Sequence, residues 1–98
     1  MTINRKKDDS KLVLELLGRL DTTTATLFED EINAITDNSV DLVLDFSELE
    51  YLSSPGLRVV LMAQKKMTKN GSLTVKNVNE TVMEIFEITG FSDILTIA

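Results

Sequence analysis

Between Lys11 and Asp21 the chain alternates. Leu12, Leu14, Leu16 and Leu20 fall on one side at period two, with Lys11, Glu15 and Arg19 on the other. This spacing predicts a strand with one buried face. A weaker strand over Thr2 to Arg5 lies close enough to pair with it as a hairpin, and Gly18 breaks the alternation as a bulge or strand end would. From Thr22 to Thr36 the period changes: Ala25, Phe28, Ile32 and Ile35 recur at helical spacing while Glu29, Asp30, Glu31 and Asn33 point elsewhere. An amphipathic helix over about Thr23 to Thr36 is expected, with Asp21 and the following threonines as sources of a capping oxygen.

Asp37-Asn38-Ser39 is turn chemistry, and Val40 to Phe46 is a compact apolar run of the kind found in a central strand covered on both faces. Phe46 to Leu52 reads as an irregular connection. Ser54-Pro55-Gly56-Leu57 then predicts a helix start, with Ser54 at the N-cap and Pro55 at the first helical position, where a missing N–H costs nothing. That helix should run from Pro55 to Lys69, its lysines suiting the negative end and Asn70-Gly71 stopping it. Its middle, Val59-Val60-Leu61-Met62-Ala63, is apolar all round: either neighbouring elements cover it, or part of it is a partner surface beside Ser54. Ser72 to Val78 is a further strand. Asn79 caps a helix over Glu80 to Thr89 with Val82, Ile85 and Phe86 inward, and Gly90-Phe91 closes it in a Schellman-like manner. The apolar tail (Ile94, Leu95, Ile97) should dock.

Alternating strands and helices imply crossover connections and a mostly parallel sheet. The expected fold is α/β: one domain over residues 1–98, a mixed, mostly parallel sheet of four to five strands, and three to four helices. Leu14, Leu16, Phe28, Ile32, Val43, Leu44, Val60, Val75 and Phe86 should form its core.

The chain has neither cysteine nor histidine. Disulfides and a thiol nucleophile are therefore excluded, and the usual general base and commonest metal ligand are missing too. The net charge of −6 opposes a sequence-independent hold on nucleic acid. No stretch approaches the roughly 20 apolar residues of a spanning helix, and the basic start lacks the apolar block of a secretory signal. The expectation is a cytoplasmic protein with no nucleic-acid or membrane partner. Phosphate-binding glycine loops, nucleophile elbows and zinc ligand clusters are all absent from the sequence. Its carboxylates are scattered over helix surfaces and strand ends, so no catalytic residue, metal or cofactor is expected and the chain does not read as an enzyme.

What remains is the segment Asp45 to Leu57. Ser54 should lie where a loop gives way to a helix, close to free amides and at the positive helix end, a place that tolerates a phosphate. A helix cap with no other role fits the same pattern.

The whole chain resembles a STAS domain, the family of bacterial anti-sigma factor antagonists and of the cytoplasmic tails of sulfate transporters. The resemblance is carried by Gly18-Arg19-Leu20-Asp21-Thr22 with Ala25, by Leu42-Val43-Leu44-Asp45-Phe46-Ser47, and most specifically by Tyr51-Leu52-Ser53-Ser54-Pro55-Gly56-Leu57. Asn79, Val82, Ile85, Phe86 and Gly90-Phe91 match the closing helix. Two positions differ from the family pattern: Pro55 replaces a small residue, and Ser53 stands where many members have aspartate. The resemblance implies an anti-sigma factor antagonist acting in transcription regulation by partner switching. Unmodified, it binds an anti-sigma factor that is also a serine kinase; phosphorylated on Ser54, it lets go, and a serine phosphatase restores it. The implied partner surface is Asp21, Thr22, Leu52, Ser53, Ser54, Gly56, Leu57 and Arg58, on a monomer or weak dimer. A STAS domain that is never phosphorylated, serving as a structural or ligand-sensing adaptor, is the alternative. A transporter tail is disfavoured by the lack of a spanning segment.

Overall fold

The computed structural model describes residues 1–36 and 40–98; the turn expected at 37–39 lies outside the described residues. The order is β1 (Thr2–Asp8), β2 (Lys11–Leu20), α1 (Ala25–Asn33), β3 (Val40–Asp45), β4 (Leu49–Leu52), α2 (Ser54–Asn70), β5 (Gly71–Lys76), α3 (Glu80–Thr89), a 3-10 turn (Phe91–Asp93) and β6 (Thr96–Ile97). The sheet runs β1-β2-β3-β5-β6, and β4 pairs with β2 alongside this path. Among the described residues only β1 is antiparallel to its neighbour; the other pairings are parallel.

β1 extends to Asp8, three residues beyond the expected hairpin arm, because Lys6 and Lys7 pair across to Val13 and Leu12. The hairpin turns at Asp9, which takes a left-handed φ of 52°. Lys6 meets Glu15 at 3.3 Å, an exposed pair that contributes little.

The alternation in β2 places Leu12, Leu14, Leu16 and Leu20 on one face. In register beside them lie Leu42 and Leu44 of β3, then Leu73 and Val75 of β5. Helix α2 packs against β3 and β5, and α1 packs against α2. Phe28 and Ile32 of α1, Val60, Ala63 and Met67 of α2, and Val82 and Phe86 of α3 complete one core. All nine expected core residues are buried. Val59, Val60 and Ala63 of the apolar helix middle are buried, and Leu61 and Met62 are half-covered. Flanking elements therefore account for that run. The exposed large apolar side chains lie elsewhere, at Leu27, Tyr51, Ile88 and Ile94.

Three expectations needed correction. The stretch from Phe46 to Leu52 is not irregular throughout: Leu49–Leu52 is a strand, making six strands where four or five were expected. Its Leu-Glu-Tyr-Leu sequence, buried at both ends and exposed at the two middle positions, carries no period-two alternation. It is a strand because β2, bulged between Gly18 and Arg19, offers a free edge to Tyr51 and Leu52. Helix α1 is shorter at both ends than Thr23 to Thr36. At the start, Thr23 and Thr24 donate their amides to Asp21 instead of entering the helix; at the end, Lys66 Nζ reaches the Ile32 carbonyl at 2.9 Å. In the tail, Leu95 is buried and Ile97 half-buried on the β6 edge, but Ile94 faces out.

Two closures match expectation. Asn79 caps α3, accepting the Val82 amide at 2.8 Å. Gly90 takes the left-handed conformation (φ 81°) that ends the helix, letting Phe91 stack on Phe86 at 6.4 Å between ring centroids.

Candidate functional site

The carboxyl end of β2 and of β4 and the first turn of α2 come together through one backbone bond. The Ser53 amide donates to the Leu20 carbonyl at 2.9 Å. This brings the β2–α1 turn, with Asp21 and Thr22, beside the β4–α2 junction, with Ser53 and Ser54. Such strand ends are where open α/β sheets tend to place their sites.

The junction differs by one residue from the sequence reading. Ser53, not Ser54, is the N-cap: its Oγ accepts the Gly56 amide at 3.4 Å and its carbonyl accepts the Leu57 amide at 2.9 Å. Ser54 is the first residue of α2 and Pro55 the second. The proline is still harmless, since first-turn amides have no partner within the helix. Local chemistry could not separate two adjacent serines; the pairing of Ser53 with Leu20 does so, by fixing Ser53 in the extended conformation that a cap requires. The two hydroxyls are left in different states. Ser53 is half-buried and occupied, whereas Ser54 is exposed and its hydroxyl makes no bond among the described residues.

The other residues expected at a partner surface divide by burial. Thr22 and Arg58 are exposed, and Asp21 is half-buried. Leu52, Gly56 and Leu57 are buried and lie beneath the surface at this junction. The reason is close approach: a Cβ on Gly56 would lie 2.8 Å from both Leu20 Cγ and Leu52 Cδ1, so only glycine allows α2 to seat its first turn on these strand ends. Thr22, Ala25, Thr26 and Glu29 of the α1 side, with Pro55, Arg58 and Val59 of α2, line a shallow depression of about 240 Å³ next to Ser54.

Asp21 spends its charge locally. The Thr24 amide, foremost, holds its carboxyl below the usual range against some desolvation, helped by the Thr24 hydroxyl, the Thr23 amide and nearby Arg19. Thr24 Oγ1 in turn accepts the Asp21 amide and donates to the Arg19 carbonyl at 2.7 Å. At Asp45, burial opposes ionisation, but hydrogen bonds from Asn77 and Ser47 outweigh it and hold the carboxyl low. Its Oδ1 accepts Asn77 Nδ2 at 2.9 Å and the Ser47 amide at 3.0 Å, tying the β3–β4 turn to the end of β5. Asn79 has a second task besides its cap, donating to the Leu49 carbonyl at 2.9 Å and so anchoring the strand that leads to the serines. Arg19 lies over the Tyr51 ring at 4.5 Å, a cross-strand pair whose signal in the sequence was invisible until β4 was placed. Among the described residues no group of three acidic side chains could hold a metal ion, and no helix is long and apolar enough to cross a membrane.

The family model described as "Mlab, STAS domain" matches residues 3–96. The chain belongs to the STAS domain family. Over 100 residues it is 36% identical to BtrV of Bordetella bronchiseptica, provisionally named an anti-sigma factor antagonist, covering 100% of this chain and 86% of that protein. It is 25% identical to the anti-sigma-B factor antagonist of Bacillus subtilis, covering 100% of this chain and 91% of that one. The crystal structure of an anti-sigma factor antagonist from Mycobacterium paratuberculosis superposes with a TM-score of 0.88 at 26% identity, covering 98% of this chain and 83% of that one. The STAS fold, a compact α/β unit with a mostly parallel sheet, is thus the one expected from the strand and helix pattern.

Proposed function

We propose that this chain is a cytoplasmic anti-sigma factor antagonist, a binding switch and not an enzyme, controlled by phosphorylation of Ser54. Unmodified, it engages an anti-sigma factor that is also a serine kinase; modified, it releases it, and a phosphatase resets it. The observation that carries this reading is the contrast between the two serines. Ser54 is exposed with a free hydroxyl at the start of α2, while the Ser53 hydroxyl is turned back onto Gly56. The names borne by BtrV and by the Bacillus and Mycobacterium proteins support the partner class.

In the transfer, Ser54 Oγ would form a bond to the γ-phosphorus of ATP as the bond to the β–γ bridging oxygen breaks. The hydroxyl proton passes to a base of the kinase, and ADP leaves. The product carries about −1.5 to −2 charges at the head of α2, where the helix dipole tolerates them, so folding is retained. A partner packed over Ser54 would have to desolvate that charge. A net penalty of about 3 kcal/mol weakens binding roughly a hundredfold.

The test is incubation with the cognate kinase and ATP, followed by intact mass and site mapping. One added phosphate on Ser54 is expected, lost in Ser54→Ala and retained in Ser53→Ala. Phosphate on Ser53 would overturn the assignment. An unmodified mass would favour an adaptor in which this end of α2 only binds.

A further inference from the structure

Arg58 is a cation with no visible employment. It is exposed in the second turn of α2 and lines the depression beside Ser54. Among the described residues it makes no hydrogen bond or ion pair. Arg5 pairs with Glu31, Lys6 with Glu15, Arg19 covers Tyr51 and Lys66 binds the Ile32 carbonyl. Lys65 and Lys69, like Arg58, make no such bond among the described residues, but they lie toward the far end of α2, away from Ser54. Helix α2 does not explain it either. Ser54–Asn70 contains no Asp or Glu, so no carboxylate lies three or four residues away on the helix. A cation near the positive helix end is also electrostatically unfavourable. Glu29, across the depression on α1, stays unpaired with it.

Four residues before Arg58 stands Ser54. Residues i and i+4 lie on one helix face, with Cβ atoms about 5–6 Å apart. Helical side chains lean toward the N-terminus, so a long side chain at 58 reaches back over position 54. An anion upstream of a cation is also the favourable order for such a pair. A guanidinium can grip two phosphate oxygens at once.

We propose that Arg58 is the internal receptor for a phosphate on Ser54, folding back over the first turn of α2 to pair with it. The proposal rests on the reading that Ser54 is modified, and it explains what the modification does within the molecule. The phosphate places negative charge at the partner surface and, in the same step, withdraws the guanidinium from it. Asp21 and Glu29, the carboxylates on the α1 side, would repel the new dianion, and Arg58 offsets that repulsion.

Phosphoserine can be incorporated at position 54 during synthesis, which removes any dependence on the kinase. Phosphorus-31 NMR then follows the second ionisation of the phosphate with pH in the wild-type background, in Arg58→Gln and in Arg58→Lys. The phosphate in the wild-type background should titrate about 0.5–1 pH unit below that in Arg58→Gln, as a close opposite charge requires. Arg58→Lys should recover only part of the difference, because a point charge cannot fork. Circular dichroism of the unmodified variants should match the wild type, since Arg58 is exposed and makes no hydrogen bond or ion pair among the described residues. Superimposed titrations of wild type and Arg58→Gln would overturn the proposal, even where the kinase modifies Ser54 normally. Failure of the kinase to modify Ser54, with the titrations separated as expected, would instead sink the switch reading alone.

Discussion

Gly56→Ala tests the seating of α2 on the sheet. The added methyl carbon would lie 2.8 Å from Leu20 Cγ, 2.8 Å from Leu52 Cδ1 and 3.0 Å from Leu20 Cδ2, where ordinary contact begins at 3.4 Å. Neither leucine can move into solvent, since their exposures are 0% and 2%. Forcing one carbon into such a packed place costs about 1–3 kcal/mol. Alanine recovers up to about 1 kcal/mol through its helix propensity, and less in the first turn. A net loss of about 1–2 kcal/mol follows, equivalent to a fall of roughly 5–15 °C in the melting temperature of a chain this size. Urea unfolding followed by circular dichroism measures it directly. The clash also predicts coupling: in a Leu52→Ala background, where space has been opened, Gly56→Ala should cost less or become favourable. If Gly56→Ala proved as stable as the wild type, or if Leu52→Ala changed nothing of its cost, close approach would not be the reason for glycine here.

Asn79→Ala should lose both the α3 cap and the bond to the Leu49 carbonyl, about 1.5–3 kcal/mol by urea titration; Asn79→Asp, which keeps the cap but not the donor, should fall between. Phe28→Ala and Phe86→Ala remove fully buried rings and should each cost about 3–5 kcal/mol; a loss under 1 kcal/mol at both would mean the helices do not pack as described. Asp21 and Asp45 are both held below the ordinary carboxyl range in the folded state. Their contribution is therefore present above the unfolded value of about 3.9 and lost as pH falls through the folded value. Asp45→Asn and Asp21→Asn should each flatten the acid side of a stability–pH curve measured by urea midpoint, and an unchanged acid slope would refute it.

The amino-acid order alone determined much of this molecule because burial repeats with the local geometry. Period two in Lys11 to Leu20 and helical spacing from Ala25 to Ile35 name the inward faces without reference to any neighbour. Ser-Pro-Gly and Gly90-Phe91 mark helix ends because their backbone preferences are intrinsic. Tertiary structure decided whatever depends on a partner distant in sequence. Leu49–Leu52 has no periodic signature and becomes a strand only against the bulged end of β2. Which of two adjacent serines caps α2 is settled by the bond from Ser53 to Leu20, thirty-three positions away. The same junction buries Leu52, Gly56 and Leu57, which a linear motif makes indistinguishable from the exposed Ser54 and Arg58 beside them. A motif records which residues occur together; only packing across the sheet separates those that support the surface from those that form it.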